Sequence, residues 1–170
     1  MADRAGVRQR VGLPGPQPPV EPLLRVAQAM RIDYWTLEVV SALEVAGVRS
    51  ILLKGPVIAE WLYDGDRSLR SYNDADLLVA PDCYAHAGDV LGAIGFSCDR
   101  RVRFGQRGRS PGHAETWFRG RDHAGVDLHW CLHFTEACGA ERVWSLLSRD
   151  TSFVEVDGVA IETLLSLIHI

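Results

Sequence analysis

RSLRSYNDADLLVAP, residues 67–81, passes from a polar stretch into a short apolar run, with Asp74 and Asp76 at the entrance and only Ala75 between them. Leu77, Leu78 and Val79, closed off by Pro81, read as a strand. Successive strand side chains point to opposite faces, so residues two apart share a face at a separation of roughly 6 to 7 Å. Asp74 and Asp76 are therefore expected on one face at the mouth of the strand. Like charges that close raise one another's pKa unless a cation lies between them. The pair implies either a bound cation or stored repulsion.

Upstream, VRSILLKG (residues 48–55) reads as a buried strand whose apolar run stops at Lys54 and Gly55. Pro56 opens a short helix, PVIAEWLY, which ends before Asp64 and Gly65. Farther back, Leu24, Ala27, Met30, Leu37, Val40 and Leu43 recur at helical spacing, and Pro22 suits a first helical turn. One or two helices are expected from Leu23 to Ala46, ending at Gly47. Downstream, Pro81 and Asp82 begin a helix that runs through Leu91 to a stop at Gly95.

HAETWFRG and GVDLHWCL, residues 113–120 and 125–132, alternate as strands joined in a hairpin through RDHAG. Asp127 and His129 share one face of the second strand, and Val126, Leu128 and Trp130 take the other. Glu136 to Leu147 reads as an amphipathic helix, and FVEVDGVAI as a hairpin turning at Asp157 and Gly158. Strands alternate with helices and then follow one another. The expected class is α+β, a mixed sheet with helices packed on one side of it.

The chain has 170 residues, 47% of them hydrophobic, which suits one domain with a real core. Its first twenty residues, rich in Gly, Pro and Arg, read as a flexible, disordered arm, leaving residues 21–164 as the domain. The terminal LSLIHI, residues 165–170, resembles the translation of a transposon end used in preparing sequencing libraries. On that reading these six residues are foreign and the domain is truncated at its C-terminus. A formal charge of −4 argues against general nucleic-acid binding. Arg100, Arg101, Arg103, Arg107 and Arg109 form a cluster that reads as a solvated edge or a phosphate-facing patch. Cys83, Cys98, Cys131 and Cys138 form no CxxC pair and read as reduced and structural. With no apolar run long enough to span a bilayer and no signal-peptide core, a cytoplasmic protein without membrane association is expected.

Two carboxylates on one strand and a third on a neighbour make a hard-oxygen site suited to Mg2+ or Mn2+, the kind of site that serves phosphoryl transfer. Asp74, Asp76 and Asp127 are the candidates. His129 shares the face of Asp127 and reads as a hydrogen-bonded core histidine, with a ligand or proton-carrying role as the rival. A DxD tripeptide alone usually caps a turn. Here it follows a strand, a Lys-Gly turn, a helix and an arginine loop.

ILLKGPVIAEWLYDGDRSLRSYNDADLLV, with AGVDLHWCL downstream, resembles the uncharacterised nucleotidyltransferase family of the DNA polymerase beta-like nucleotidyltransferase superfamily. The matching motifs run from Ile51 to Trp130, about half the chain. The resemblance implies a nucleotidyltransferase-like fold and transfer of a nucleoside monophosphate from an NTP such as ATP. The acceptor is open between a small molecule, a protein and an RNA end. It implies Asp74, Asp76 and Asp127 as metal ligands and catalytic acids, Lys54 and Gly55 at the turn that cradles the triphosphate, and Arg70 on a phosphate. Asp127 would serve best as base or ligand for the attacking hydroxyl. The chain departs from the pattern at Pro56, where a backbone N–H donor is lost, and in having Lys-Gly where Gly-Ser is usual. A catalytically inactive binding or regulatory module of the same fold is the alternative. A DxD glycosyltransferase is disfavoured by the lack of a preceding Rossmann-like half. Asparagine at residue 74 or 76 is expected to abolish transfer and leave the fold intact or slightly more stable.

Overall fold

The computed structural model describes residues 20–70, 72–98, 112–133 and 135–165. The expected N-terminal arm up to residue 19, the cluster from Arg100 to Arg109 and residues 166–170 of the terminal segment lie outside the described residues. Among the described residues the α-helices are α1 (Val20–Val45), α2 (Pro56–Tyr63), α3 (Tyr84–Ala93) and α4 (Ala140–Leu147). Seven strands, β1 (Ser50–Leu52), β2 (Ala75–Val79), β3 (Ser97–Cys98), β4 (Ala114–Arg119), β5 (Ala124–His129), β6 (Thr151–Val156) and β7 (Val159–Leu164), form one sheet in the order β3-β4-β5-β2-β1-β7-β6. β2 runs parallel to β5 and β1 parallel to β7, and the other neighbours are antiparallel. The fold is therefore α+β with a mixed sheet. Among the described residues no helix is long and apolar enough to cross a membrane, and no disulfide joins any of the four cysteines.

α1 is one continuous helix that stops at Gly47, where a positive φ of 73° lets Val48 N–H reach back to the carbonyl of Leu43. Its buried face matches the stripe that helical spacing singled out only toward the C-terminal end, where Leu43 is buried and Leu37 and Val40 pack against the core. Ile32, Trp35, Val39 and Leu43 enter the core, whereas Leu24, Ala27 and Met30 face outward. Apolar residues run almost all the way round this helix, so periodicity alone does not select a face. The bulkier set at i, i+3, i+7 and i+11 packs on the sheet.

The central strands are apolar on both sides. Leu52, Ala75, Leu77, Val79, Val126 and Leu128 join α1 and α3 in the main core. Ile51, Leu53, Leu78 and Leu164 point the other way, into a smaller cluster with Cys131, Leu132 and Val143 of α4. Helices thus cover both faces of the sheet, not one, because β1 and β2 expose apolar side chains to each. The helix expected over Glu136–Leu147 is interrupted at Gly139, whose φ is 81°, so that a single turn, Glu136–Cys138, precedes α4. The DG hairpin forms as read, with Asp157 and Gly158 both at positive φ.

The buried guanidinium of Arg119 ties the β4–β5 hairpin to the helical layer. It grips Glu38 of α1 and Asp122 of the hairpin with bidentate bonds of 2.6–3.1 Å and lies over the ring of Phe96. Strand β5, which carries Asp127 and His129, is anchored at the end where it enters the sheet.

The face assignment of α1 is testable by denaturant unfolding. Ile32→Ala is expected to cost about 3 kcal/mol, and Met30→Ala to stay within about 0.5 kcal/mol. The reverse order would overturn the assignment.

Candidate active site

Ala75, Leu77 and Val79 point into the main core, so Asp76 between them points to the opposite face. The same alternation in β5 sends Asp127 and His129 to that face, against Val126 and Leu128. The parallel pairing of the two strands sets Asp76 directly across from Asp127 and Leu78 across from His129. One ligand atom from each of Asp76, Asp127 and His129 lies within 4.8 Å of the other two. Asp76 and His129 are buried. Oδ1 of Asp127 is buried with no hydrogen-bond partner among the described residues.

Lys54 comes to this group from β1. Leu53 N–H donates to the Asp76 carbonyl at 2.9 Å, which sets Lys54 beside the acid. Its Nζ lies 3.2 Å from Asp76 Oδ1, and Nε2 of His129 lies 3.1 Å from the same oxygen. Gly55 follows with φ 67° and ψ −112°, a conformation open to glycine, and a Cβ there would stand 3.3 Å from the ring of Tyr72. Pro56 then takes the first position of α2.

The segment entering β2 is held by a buried acid. Asp33 of α1 accepts a 2.6 Å hydrogen bond from the Tyr72 hydroxyl and pairs with Arg67 Nε at 2.7 Å, while Arg67 also reaches Asp157. Gln28 donates to the Tyr72 carbonyl. Burial pushes the Asp33 carboxyl above the usual range despite these partners. Tyr72 is thus fixed between the helix and the Lys54–Gly55 turn.

Of the residues expected at the site, Asp76, Asp127 and Lys54 converge, and Gly55 forms the turn beside them. Asp74 stands ahead of β2, half-buried and outside the three-residue group, yet close enough to feel its charge. Burial first, then the charges of Asp76 and Asp127, raise its pKa. Burial acts the same way on Asp76, but the hydrogen bond from His129 and the charge of Lys54 outweigh it and bring that carboxyl below its usual range. Arg70 is half-buried, and its Nε has no hydrogen-bond partner among the described residues. Asp66, in the same loop, accepts from the amide and hydroxyl of Ser68. His129 is the hydrogen-bonded core histidine that its sequence position suggested, but its partner is the acid itself. The i, i+2 spacing from Asp127 was the available signal.

Two carboxylates, one with a buried oxygen that has no partner among the described residues, and an imidazole suit a divalent cation. The two neighbouring acids, one pKa raised and one lowered, are also the pattern that separates a proton acceptor from a permanently charged ligand.

This asymmetry revises the expectation that asparagine at either position is harmless to the fold. In metal-free buffer at pH 7, Asp76→Asn is expected to cost about 1–3 kcal/mol, because two donors lose a charged acceptor, while Asp74→Asn is neutral or stabilising. Asp76 has a lowered folded pKa, so its stabilisation exists above the unfolded value of about 3.9 and is lost as pH falls through the folded one. Asp74 has a raised folded pKa, so its ionisation costs stability as pH rises through that value. Both differences from wild type should shrink on acidification, as measured by urea unfolding at pH 3 and pH 7. Gly55→Ala should cost about 2 kcal/mol through its backbone conformation, measured the same way.

No curated protein and no solved structure matches the chain. The family model described as uncharacterised nucleotidyltransferase matches residues 24–169, a span that holds most of α1, the Lys54–Gly55 turn and all three aspartates. With most of its length covered, the chain belongs to this family of uncharacterised nucleotidyltransferases.

Proposed function

We propose that the protein is a metal-dependent nucleotidyltransferase that moves a nucleoside monophosphate from an NTP to a hydroxyl of an acceptor, a small molecule, a protein or an RNA end, with the α–β phosphoanhydride bond broken and pyrophosphate released. The observation that carries this reading is the register of Asp76 against Asp127 on one face of a parallel strand pair, in a chain of a nucleotidyltransferase family. Asp76 and Asp127 would hold Mg2+ or Mn2+, with His129 beside them and Asp74 completing the acidic set. Once bound, the ion would neutralise charge on the phosphates and polarise the transferred phosphoryl group.

The remaining work falls to the chain's own side chains. Asp76 stays ionised, since His129 and Lys54 hold its carboxyl below the usual range. Asp74, whose carboxyl is raised by burial and by its two acidic neighbours, is the acid suited to accept the proton of the attacking hydroxyl. His129 fixes the orientation of Asp76. The Lys54–Gly55 turn at the start of α2 and Arg70, whose Nε has no hydrogen-bond partner among the described residues, would meet the triphosphate. Pro56 removes one backbone donor from that turn, which shifts phosphate binding toward these cationic side chains.

The test is transfer of label from an α-phosphate-labelled NTP, with Mg2+ or Mn2+, to material in a cell extract. Label transfer should need the ion and fall by at least about 100-fold in Asp76→Asn and in Asp127→Asn, since a lost ligand costs no less than a lost supporting group. Undiminished transfer in both variants would remove the mechanism. Nucleotide binding without transfer would leave a binding module of the same fold.

A further inference from the structure

Lys54 and His129 meet the same oxygen of Asp76, at 3.2 and 3.1 Å, but they are not equivalent. His129 is buried and extends from the middle of the sheet. The Lys54 side chain is 41% exposed and begins just past the end of β1. Its main chain is fixed on both sides, by the Leu53 to Asp76 hydrogen bond and by the Gly55 turn packed against Tyr72. The backbone of Lys54 is therefore held while its ammonium, on a four-carbon stem, is free to change partners.

That ammonium stands where it competes with a divalent ion. It neutralises the Asp76 charge on which an ion between Asp76 and Asp127 would depend, and it repels such an ion whichever carboxylate oxygen the ion takes. Its departure would not release Asp76, because His129 still holds the carboxylate. The nearby anionic destination would be the phosphate of a nucleotide bound at the start of α2, where Pro56 has removed a backbone donor and a mobile ammonium can supply one.

We propose that Lys54 is a tethered cation shared between two anions: it rests on Asp76 and passes to a nucleotide phosphate as Asp76 and Asp127 take up a divalent ion, so that ion and nucleotide load together. This rests on reading the aspartates as a metal site. It makes Lys54 a positioning residue whose removal has opposite effects on the two ligands.

The experiment is calorimetric titration of Mn2+ into wild type, Lys54→Met and Lys54→Gln, followed by titration of a nonhydrolysable ATP analogue at saturating Mn2+. Thermal unfolding serves as the control for folding. With a unit charge roughly 5 Å from the ion and water-like screening, both variants should bind Mn2+ alone about ten-fold tighter than wild type. Both should bind the analogue about ten-fold more weakly, through loss of a charged hydrogen bond. Folded variants with unchanged or weaker Mn2+ affinity overturn the proposal, as do variants with tighter Mn2+ binding and unchanged analogue binding. No Mn2+ binding by wild type would instead remove the metal reading beneath it.

Discussion

Asp76 and Asp127 face each other across a parallel strand pair because the opposite faces of the same two strands are filled with core. Ala75, Leu77 and Val79 on β2, with Val126 and Leu128 on β5, lie in one apolar cluster. A slip of one residue in either strand would turn its acid into that core and its leucine out of it. Burial of the leucines thus enforces the approach of two like charges that electrostatics alone would oppose. The register is over-determined by packing, and the packing holds the site's charge in place.

The opposition is offset locally. His129 arrives on the face of Asp127 through strand periodicity and hydrogen-bonds Asp76, and Lys54 adds a positive charge from the neighbouring strand. Polar groups farther out fix the pieces that carry these side chains. Arg119 clamps the β4–β5 hairpin to α1 through Glu38. Asp33, fully buried, holds Tyr72 and Arg67 and so the segment entering β2, and the Tyr72 ring lies against Gly55. Buried polar networks of this kind constrain geometry more surely than they add stability. Both begin on α1, so that one helix supports the hairpin and the turn on either side of the acids.

Local pattern was enough to find the strand carrying Asp76, the hairpin that delivers Asp127 and the DG turn between β6 and β7, since each is set by alternation and turn chemistry within a few residues. It was not enough for α1, where apolar residues surround the helix and only the sheet decides which of them are buried. Nor could it show that α4 covers the second face, because the two-sided burial of β1 and β2 emerges when distant strands pair. The same limit applied to the site. The spacing of Asp74 and Asp76 suggested equal partners, yet Asp76 lies within the β2–β5 pairing and receives two donors, while Asp74 stands before it. The pairing of β2 with β5 spans some fifty residues of chain, and the tie of His129 to the Asp76 carboxylate follows from it, while the tie of Lys54 comes from the β1–β2 edge.

The most direct measurement is anomalous scattering from a crystal of the protein grown or soaked with Mn2+. A peak within about 2.5 Å of carboxylate oxygens from both Asp76 and Asp127 is expected. A peak bound elsewhere on the chain, or none at these two residues at saturating Mn2+, would contradict the claim that their enforced register exists to hold a divalent ion.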